Sequence, residues 1–277
     1  MQKRKLGSSD LYVSVLGLGC MSLGLDPKKA ESILHAALDE GINYFDTADL
    51  YDYGENEKII GTTFKQNRDK VILATKVGNH WDEQKNGWYW DPSKTYIKEA
   101  VKASLKRLNT DYIDVYQLHG GTIEDPLDET IDAFEELKTE GVIRYYGISS
   151  IRPNVIREYT SKADIASVMM QYNILDRRPE EVIIPLLDAH GISVVTRGSL
   201  AKGLLSDKMY EKASKATQEK GYLDYSFSEI KDVLTKLKTH FDRPMSEVAL
   251  QYNLAQPAVS SVIVGASSVE QIKENSR

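Results

Sequence analysis

Short apolar segments alternate with helix-like segments along the whole chain, and this alternation constrains the fold more than any other feature. Strands are predicted at residues 13–19, 42–46, 71–76, 113–118, 144–149, 167–172, 192–196 and 259–264. Helices are predicted at residues 27–40, 56–64, 93–108, 128–140, 153–159, 179–190, 228–240, 246–255 and from 268 onward. The apolar segments show no polar alternation, which is typical of parallel strands buried on both faces. Eight such units without a low-complexity linker predict a single (β/α)8 TIM-barrel domain over residues 1–277.

Three further segments stand outside this repeat. Residues 6–13 place Gly, Ser and Asp between short apolar pieces, which predicts an N-terminal β-hairpin. Two long loops, at 77–92 and at about 201–226, are expected at the C-terminal face of the barrel, where loops bind substrate and cofactor. The last helix would begin at Ser268 and still be running at Arg277, so we expect a C-terminal tail to be trimmed or missing.

Three of the predicted strands run into a residue that can carry a proton or a charge. These residues are Asp46, Lys76 and His119, and Tyr51 lies in the loop just after Asp46. Because strand ends converge at the C-terminal mouth of a barrel, we expect the four side chains to share one pocket. Each alone has an ordinary structural explanation, such as an exposed lysine or a core histidine. Their joint placement favours an enzyme that transfers a proton to an oxygen.

Three ordered motifs resemble the signatures of the aldo-keto reductase family. They are Phe45-Asp46-Thr47-Ala48-Asp49-Leu50-Tyr51, the run from Ser104 to Asp114 followed by Leu118-His119, and the run from Ile263 to Ser268 followed by Gln271 and Asn275. The resemblance covers nearly the whole chain. It implies an enzyme that transfers hydride from a nicotinamide nucleotide to an aldehyde or a ketone.

The four strand-end residues have defined roles in the chemistry that this resemblance implies. Hydride attack creates an alkoxide, and Tyr51 is the expected general acid that protonates it. A free phenol has a pKa of about 10, so we expect the neighbouring Lys76 ammonium to lower the pKa of Tyr51. Asp46 would be the counter-ion of Lys76, and His119 would donate a hydrogen bond that orients the substrate carbonyl.

The resemblance also implies a set of cofactor contacts at the other strand ends. They are Cys20, Met21, Ser149, Ser150, Gln171, Arg197, Gly198, Ser199, Leu200, Gly203, Gly265, Ser267, Ser268, Gln271 and Asn275. Ser150 stands where the family usually has Asn, and Arg197 stands where a Tyr commonly stacks on the nicotinamide. Core packing would explain Cys20 and Met21 equally well, and helix capping would explain Ser268. NADPH is the expected cofactor by family habit, with NADH as the second choice because no Lys or Arg lies at the adenosine end.

All three tryptophans of the chain lie in one stretch of ten residues inside the first long loop. Trp81, Trp88 and Tyr89, with Trp90 beside them, predict an apolar wall for a carbonyl substrate. A subunit contact or a self-packed lid explains the same cluster equally well.

Composition limits the partners and the compartment. A net charge of −6 gives no electrostatic reason to expect nucleic acid or an anionic membrane as a partner. The one cysteine excludes an internal disulfide and is typical of a reducing cytosol. No apolar region follows the basic start of the chain, and no apolar run approaches the roughly 20 residues that span a bilayer. We therefore expect a cytoplasmic protein, and the resemblance implies that its partner is a small carbonyl compound.

Three rival interpretations remain at this stage. The glycines at residues 16–24 resemble a dinucleotide-binding loop of a doubly wound sheet, although their spacing differs from G-x-G-x-x-G. A metal-dependent hydrolase is disfavoured because the five histidines form no H-x-H pair. A nucleotide-binding regulatory subunit with little turnover stays open, since Ser150 and Gln271 depart from the family pattern.

Overall fold

A closed barrel of parallel strands forms the centre of the computed structural model, which describes residues 1–276 apart from the side chain at position 212. The strands are Lys3–Lys5 (β1), Tyr12–Ser14 (β2), Leu16–Gly19 (β3), Tyr44–Asp46 (β4), Ile72–Val77 (β5), Asn79–Asp82 (β6), Gly87–Trp90 (β7), Ile113–Leu118 (β8), Ile143–Ser149 (β9), Ser167–Gln171 (β10), Ser193–Arg197 (β11) and Val259–Gly265 (β12). The barrel order is β3, β4, β5, β8, β9, β10, β11 and β12, and β12 pairs with β3 to close it. The predicted (β/α)8 barrel is confirmed, and the doubly wound alternative is wrong.

Helices follow the barrel strands and cover them from outside. They are Pro27–Asp39 (α1), Glu55–Phe64 (α2), Lys94–Leu108 (α3), Leu127–Thr139 (α4), Pro153–Lys162 (α5), Ile183–Ala189 (α6), Met209–Lys212 (α7), Lys215–Lys220 (α8), Phe227–His240 (α9), Met245–Leu254 (α10) and Val269–Asn275 (α11). Helix α1 shows how the local sequence sets an element, because the Asp26 side chain caps its first turn. Its buried residues Ala30, Ile33, Leu34 and Ala37 follow the helical repeat and face the barrel.

The predicted N-terminal hairpin is present, but it includes residues 13 and 14, which the sequence predicts in the first barrel strand. Tyr12–Ser14 pairs antiparallel with Lys3–Lys5, and the barrel strand begins only at Leu16. Leu6, Leu11 and Val13 are buried against the residues that fill the barrel interior. The hairpin therefore packs its apolar side chains against the barrel interior.

Two predicted helices have different bounds in the structure. The predicted helix at 179–190 divides into a short 3-10 turn, Arg178–Glu180, and α6, which begins at Ile183. Pro185 explains this start, because proline is tolerated in the first turn of a helix and not further inside. The last helix ends at Asn275, with Ser276 as its C-cap, rather than continuing to Arg277; Arg277 itself lies outside the described residues.

Both long loops contain regular structure that the sequence did not predict. The first forms an antiparallel hairpin of Asn79–Asp82 and Gly87–Trp90. The second contains the short helices Met209–Lys212 and Lys215–Lys220. Both segments follow barrel strands at their C-terminal ends, so they stand beside the predicted active site.

Candidate active site

Lys76 lies at the centre of the strand-end cluster. Its ammonium donates to Asp46 Oδ1 at 2.7 Å and to the carbonyl oxygen of Thr47 at 2.6 Å, and Lys76 is only 1% exposed. The Gln117 amide lies beside the other Asp46 oxygen, at 3.4 Å. Burial is the largest single effect and lowers the pKa of Lys76, but the interactions with Asp46 and Tyr51 together outweigh it and raise this pKa above its ordinary value. Lys76 therefore stays charged at neutral pH.

Tyr51 stands next to this ion pair. The Lys76 ammonium lies 5.2 Å from the centroid of the Tyr51 ring. Burial raises the pKa of Tyr51 above its ordinary value, and the charge of Lys76 opposes this rise only in part. The expectation that Lys76 brings the pKa below that of a free phenol is therefore not met, because desolvation is the larger effect. Tyr51 holds its proton at neutral pH.

The loop that carries Tyr51 is fixed to the barrel from below. Asn56 accepts from the Thr47 hydroxyl at 2.7 Å and donates to the carbonyl oxygen of Cys20 at 2.8 Å. Glu57 is fully buried, accepts from the Thr75 hydroxyl at 2.6 Å and pairs with Arg107 at 2.6 Å. These contacts join the first turn of α2 to the residues that follow β3 and β4, to β5 and to α3, so buried hydrogen bonds hold both ends of the loop that carries Tyr51.

His119 completes the cluster, just beyond the end of β8. Its ring lies edge-on to Tyr51, with the ring centroids 6.2 Å apart. Burial, followed by the charges of Lys76 and Arg197, lowers the pKa of His119 to about 3. The imidazole is therefore neutral at physiological pH and has one N–H to donate. Its Nδ1 atom is buried without a hydrogen-bond partner among the described residues.

A cavity of about 1200 Å³ opens above these four residues. Most of the expected cofactor contacts line it, namely Met21, Ser149, Ser150, Gln171, Arg197, Gly198, Ser199, Leu200, Gly203, Gly265, Ser267, Gln271 and Asn275. Cys20 and Ser268 do not line it. Cys20 is fully buried beneath the Asp46–Lys76 pair, and burial raises the pKa of its thiol well above the ordinary value. The Ser268 hydroxyl caps α11 by accepting from the backbone N–H of Gln271.

Sequence analysis did not identify all the cavity residues, and Arg152, Lys202 and Tyr222 are among those it missed. Arg152 and Lys202 add positive charge to the cavity wall, and Tyr222 reaches it from the second long loop. Lys202 immediately precedes the predicted contact Gly203, and this adjacency in sequence could have identified it as a cavity residue. Tyr222 belongs to the second long loop, which is expected beside the site, but the sequence does not distinguish Tyr222 from the other residues of that loop. Its hydroxyl accepts from the Asn173 amide at 3.3 Å.

The aromatic loop divides into two groups. Trp90 lines the cavity, where its ring packs across Gly78 and Gly120 and its N–H donates to Asp125 at 2.9 Å. The predicted substrate residues Trp81, Trp88 and Tyr89 do not line it. Trp81 and Trp88 instead pack against each other and Tyr53, and Tyr89 stacks on His80. The self-packed lid, one of the two alternatives, describes these three residues better than the substrate wall.

Among residues 1–276, no helix has both the length and the apolar character that crossing a membrane requires. No group of three or more histidine, cysteine, aspartate or glutamate side chains in the same range has an arrangement suited to a metal ion.

Comparison with known proteins agrees with this geometry. Residues 15–277 match the model of the Aldo/keto reductase family. The chain is 62% identical to the uncharacterized oxidoreductase YqkF of Bacillus subtilis (strain 168), over 99% of this chain and 90% of that protein. It is 31% identical to the NADH-specific methylglyoxal reductase of Escherichia coli (strain K12), over 99% of this chain and 92% of that protein.

A solved structure supports the same assignment. The holo form of aldo-keto reductase AKR11C1 from Bacillus halodurans superposes with a TM-score of 0.92 at 59% identity, covering 100% of this chain and 90% of that one. Fold, site geometry and similarity therefore lead to one conclusion: the chain belongs to the aldo-keto reductase family of oxidoreductases.

Proposed function

We propose that this protein reduces aldehydes or ketones to alcohols with NADPH, and that Tyr51 is the general acid. The observation that carries the proposal is the placement of Lys76, which pairs with Asp46 and lies 5.2 Å from the Tyr51 ring centroid. A charged lysine beside a protonated phenol provides an acid whose conjugate base is stabilised as it forms. This arrangement stands at the floor of a cavity large enough for a dinucleotide and a small substrate.

Each residue has one task in this proposal. A bound nicotinamide nucleotide supplies the hydride that reduces the carbonyl carbon. The neutral His119 donates its N–H to the carbonyl oxygen and orients the substrate. Tyr51 gives its proton to that oxygen as negative charge develops there, and Lys76 stabilises the phenolate that remains. Asp46 keeps Lys76 charged and holds it in place.

The cavity wall suits an anionic cofactor. The charged residues that line it include the cations Lys76, Arg152, Arg197 and Lys202 and the anions Asp46 and Glu274. The net charge of these lining residues is positive, although the whole chain has a net charge of −6. At the expected adenosine end the donors are neutral, namely the backbone N–H and the hydroxyl of Ser267. We infer NADPH with a modest preference, and NADH, which the Escherichia coli relative is named for, is the second choice.

The test is a steady-state assay of both nucleotides against a panel of aldehydes, ketones and α-dicarbonyls. The matched control is Tyr51→Phe, which removes only the hydroxyl. We expect carbonyl reduction to fall by about 10²–10⁴ in this variant, the usual contribution of one general acid, while nucleotide binding stays near that of the wild type. Near-normal turnover in Tyr51→Phe would remove Tyr51 from the mechanism. Nucleotide binding without any turnover in the wild type would favour a regulatory subunit instead.

The remaining expectations are part of the same proposal. The partner is a small carbonyl compound rather than nucleic acid or a membrane, in accordance with the net charge of −6. The single cysteine is free and buried, which is consistent with the cytoplasmic location inferred from the sequence.

A further inference from the structure

Arg197 is held in the cavity by an alternating series of hydrogen-bond donors and acceptors. Arg178 binds both oxygens of Asp176, at 2.8 Å and 2.9 Å. The Gln171 amide nitrogen donates to Asp176 Oδ2 at 2.8 Å, and the Gln171 amide oxygen accepts from Arg197 Nη1 at 3.3 Å. The series thus leads from a surface arginine through a buried carboxylate to an exposed cation on the cavity wall.

The orientation of the Gln171 amide is determined by chemistry. An ionised carboxylate only accepts hydrogen bonds. Asp176 is 3% exposed, and the hydrogen bonds from Arg178 and Gln171 outweigh the effect of burial and lower its pKa. The nitrogen of Gln171 must therefore face Asp176, which leaves the amide oxygen facing the cavity as a fixed acceptor for Arg197.

The positive charge of Arg197 is not neutralised by this arrangement. Asp176 is paired with Arg178, and Asp46 is paired with Lys76. Among residues 1–276, no carboxylate lies within ion-pair distance of Arg197, whose direct partner is the neutral Gln171. Arg197 lies close enough to the reaction site for its charge to act on Asp46 and His119. The catalytic end of the cavity therefore has one cation more than it has anions.

We propose that Arg197 makes the site discriminate between the two oxidation states of the nicotinamide ring. The oxidised ring carries a positive charge and the reduced ring carries none. A fixed guanidinium beside the ring therefore opposes binding of NADP⁺ and leaves NADPH unopposed. The inference rests on the proposed function and on the expectation, implied by the family resemblance, that Arg197 stands beside the nicotinamide. Its consequence is preferential capture of reduced nucleotide and rapid release of oxidised nucleotide.

The experiment measures the dissociation constants of NADP⁺ and NADPH by direct titration, without substrate and at low salt. Arg197→Met removes the charge and keeps an unbranched side chain, whereas Arg197→Lys keeps the charge. The control is Arg177→Met, because Arg177 is exposed, pairs with Glu180 at 2.8 Å and does not line the cavity. The same substitution there leaves the charge at the site unchanged.

We expect the ratio Kd(NADP⁺)/Kd(NADPH) to fall about tenfold in Arg197→Met, which corresponds to about 1.4 kcal/mol. The ratio should stay near the wild-type value in Arg197→Lys and Arg177→Met. In the wild type it should shrink as salt rises, because the interaction is electrostatic.

Two results would overturn the inference. One is an unchanged ratio in Arg197→Met, with the binding of both nucleotides weakened equally. This would mean that Arg197 contacts the nucleotide but does not act through its charge. The other is an equal change in Arg177→Met, which would trace the effect to the net charge of the protein. Failure of the wild type to bind either nucleotide would instead refute the proposed function, so the two failures are distinguishable.

Discussion

The Lys76 ammonium and the Asp46 carboxylate lie 2.7 Å apart in a pair that is almost completely buried. Such pairs contribute little net stability, because desolvation of two charges offsets most of their attraction. Breaking one by removing a single partner is costly, since the other charge is left buried and unpaired. The pair is therefore better explained by the role proposed for Tyr51 than by stability.

Removing the lysine alone should damage both stability and function. Lys76→Met leaves Asp46 unpaired, so we expect the free energy of unfolding to fall by about 3–5 kcal/mol and carbonyl reduction to be lost. The double variant Lys76→Met/Asp46→Leu removes both charges and should recover much of the stability without recovering activity. Urea unfolding and steady-state rates on the same preparations separate the two effects. Recovery of reduction in the double variant would contradict the role given to Lys76.

The lowered pKa of His119 predicts that the free energy of unfolding changes with pH, and it determines the direction of that change. The native pKa is about 3, whereas an unfolded histidine titrates at about 6.5. Between these values the unfolded chain binds the extra proton, so this contribution to stability is complete above about pH 6.5 and is lost as pH falls toward 3. The slope approaches about 1.4 kcal/mol per pH unit.

The matched variant for this measurement is His119→Gln, which is polar and uncharged at every pH. Urea unfolding at pH 7.5, 6, 5 and 4 should show the wild type losing stability faster than the variant below pH 6.5, with a constant difference above it. Parallel curves over the whole range would mean that the native imidazole is protonated as easily as the unfolded one.

The convergence of Asp46, Tyr51, Lys76 and His119 in one cavity could be predicted from the sequence because it depends on local information. Asp46, Lys76 and His119 follow apolar runs, and a parallel barrel brings all strand ends to one face. The Arg178–Asp176–Gln171–Arg197 series could not be predicted, because it requires the turn at 173–176 to place a buried carboxylate beside a strand end. The sign of the Tyr51 pKa shift also depends on burial, which spacing does not reveal.

The structure does not support the predicted substrate wall of the aromatic loop, for a related reason. Clustered tryptophans indicate that a loop buries apolar surface, but not whether it does so against a ligand or against itself. Tyr53 decides the matter here by packing with Trp81 and Trp88, in a left-handed backbone conformation with φ of 55°. Such a conformation in a non-glycine residue depends on its tertiary surroundings and is not indicated by residue type.

Replacing Gly61 with alanine should destabilise the protein, although replacing a glycine inside a helix usually stabilises it. In an open helix interior, alanine stabilises by about 1 kcal/mol relative to glycine. At position 61 of α2, the added Cβ would lie 2.4 Å from the carbonyl carbon of Leu108, at the end of α3. We expect Gly61→Ala to lower the free energy of unfolding by about 1–3 kcal/mol, the usual cost of overpacking. Thr62→Ala, at the exposed next position, is the control, and an increase in the melting temperature of Gly61→Ala would contradict this close packing.

Gln271→Arg should strengthen the choice of NADPH over NADH. The Gln271 side-chain oxygen now accepts from the Ser267 backbone N–H at 2.8 Å, so the wild type presents neutral groups to the expected 2′-phosphate. An arginine adds a cation that can bind phosphate with two hydrogen bonds. NADPH should bind more tightly by about 1–3 kcal/mol, the range for hydrogen bonds to charged groups, and the gain should shrink as salt rises.

The measurement for Gln271→Arg is fluorescence titration of NADPH and NADH in parallel, with NADH expected to bind almost as in the wild type. Gln66→Arg is the control, because it adds the same charge at an exposed position outside the cavity. A similar gain in Gln66→Arg would trace the effect to net charge alone. Equal tightening of both nucleotides in Gln271→Arg, or none, would show that Gln271 does not face the 2′-phosphate and that the adenosine end lies elsewhere, because only NADPH carries the group that the new guanidinium would bind.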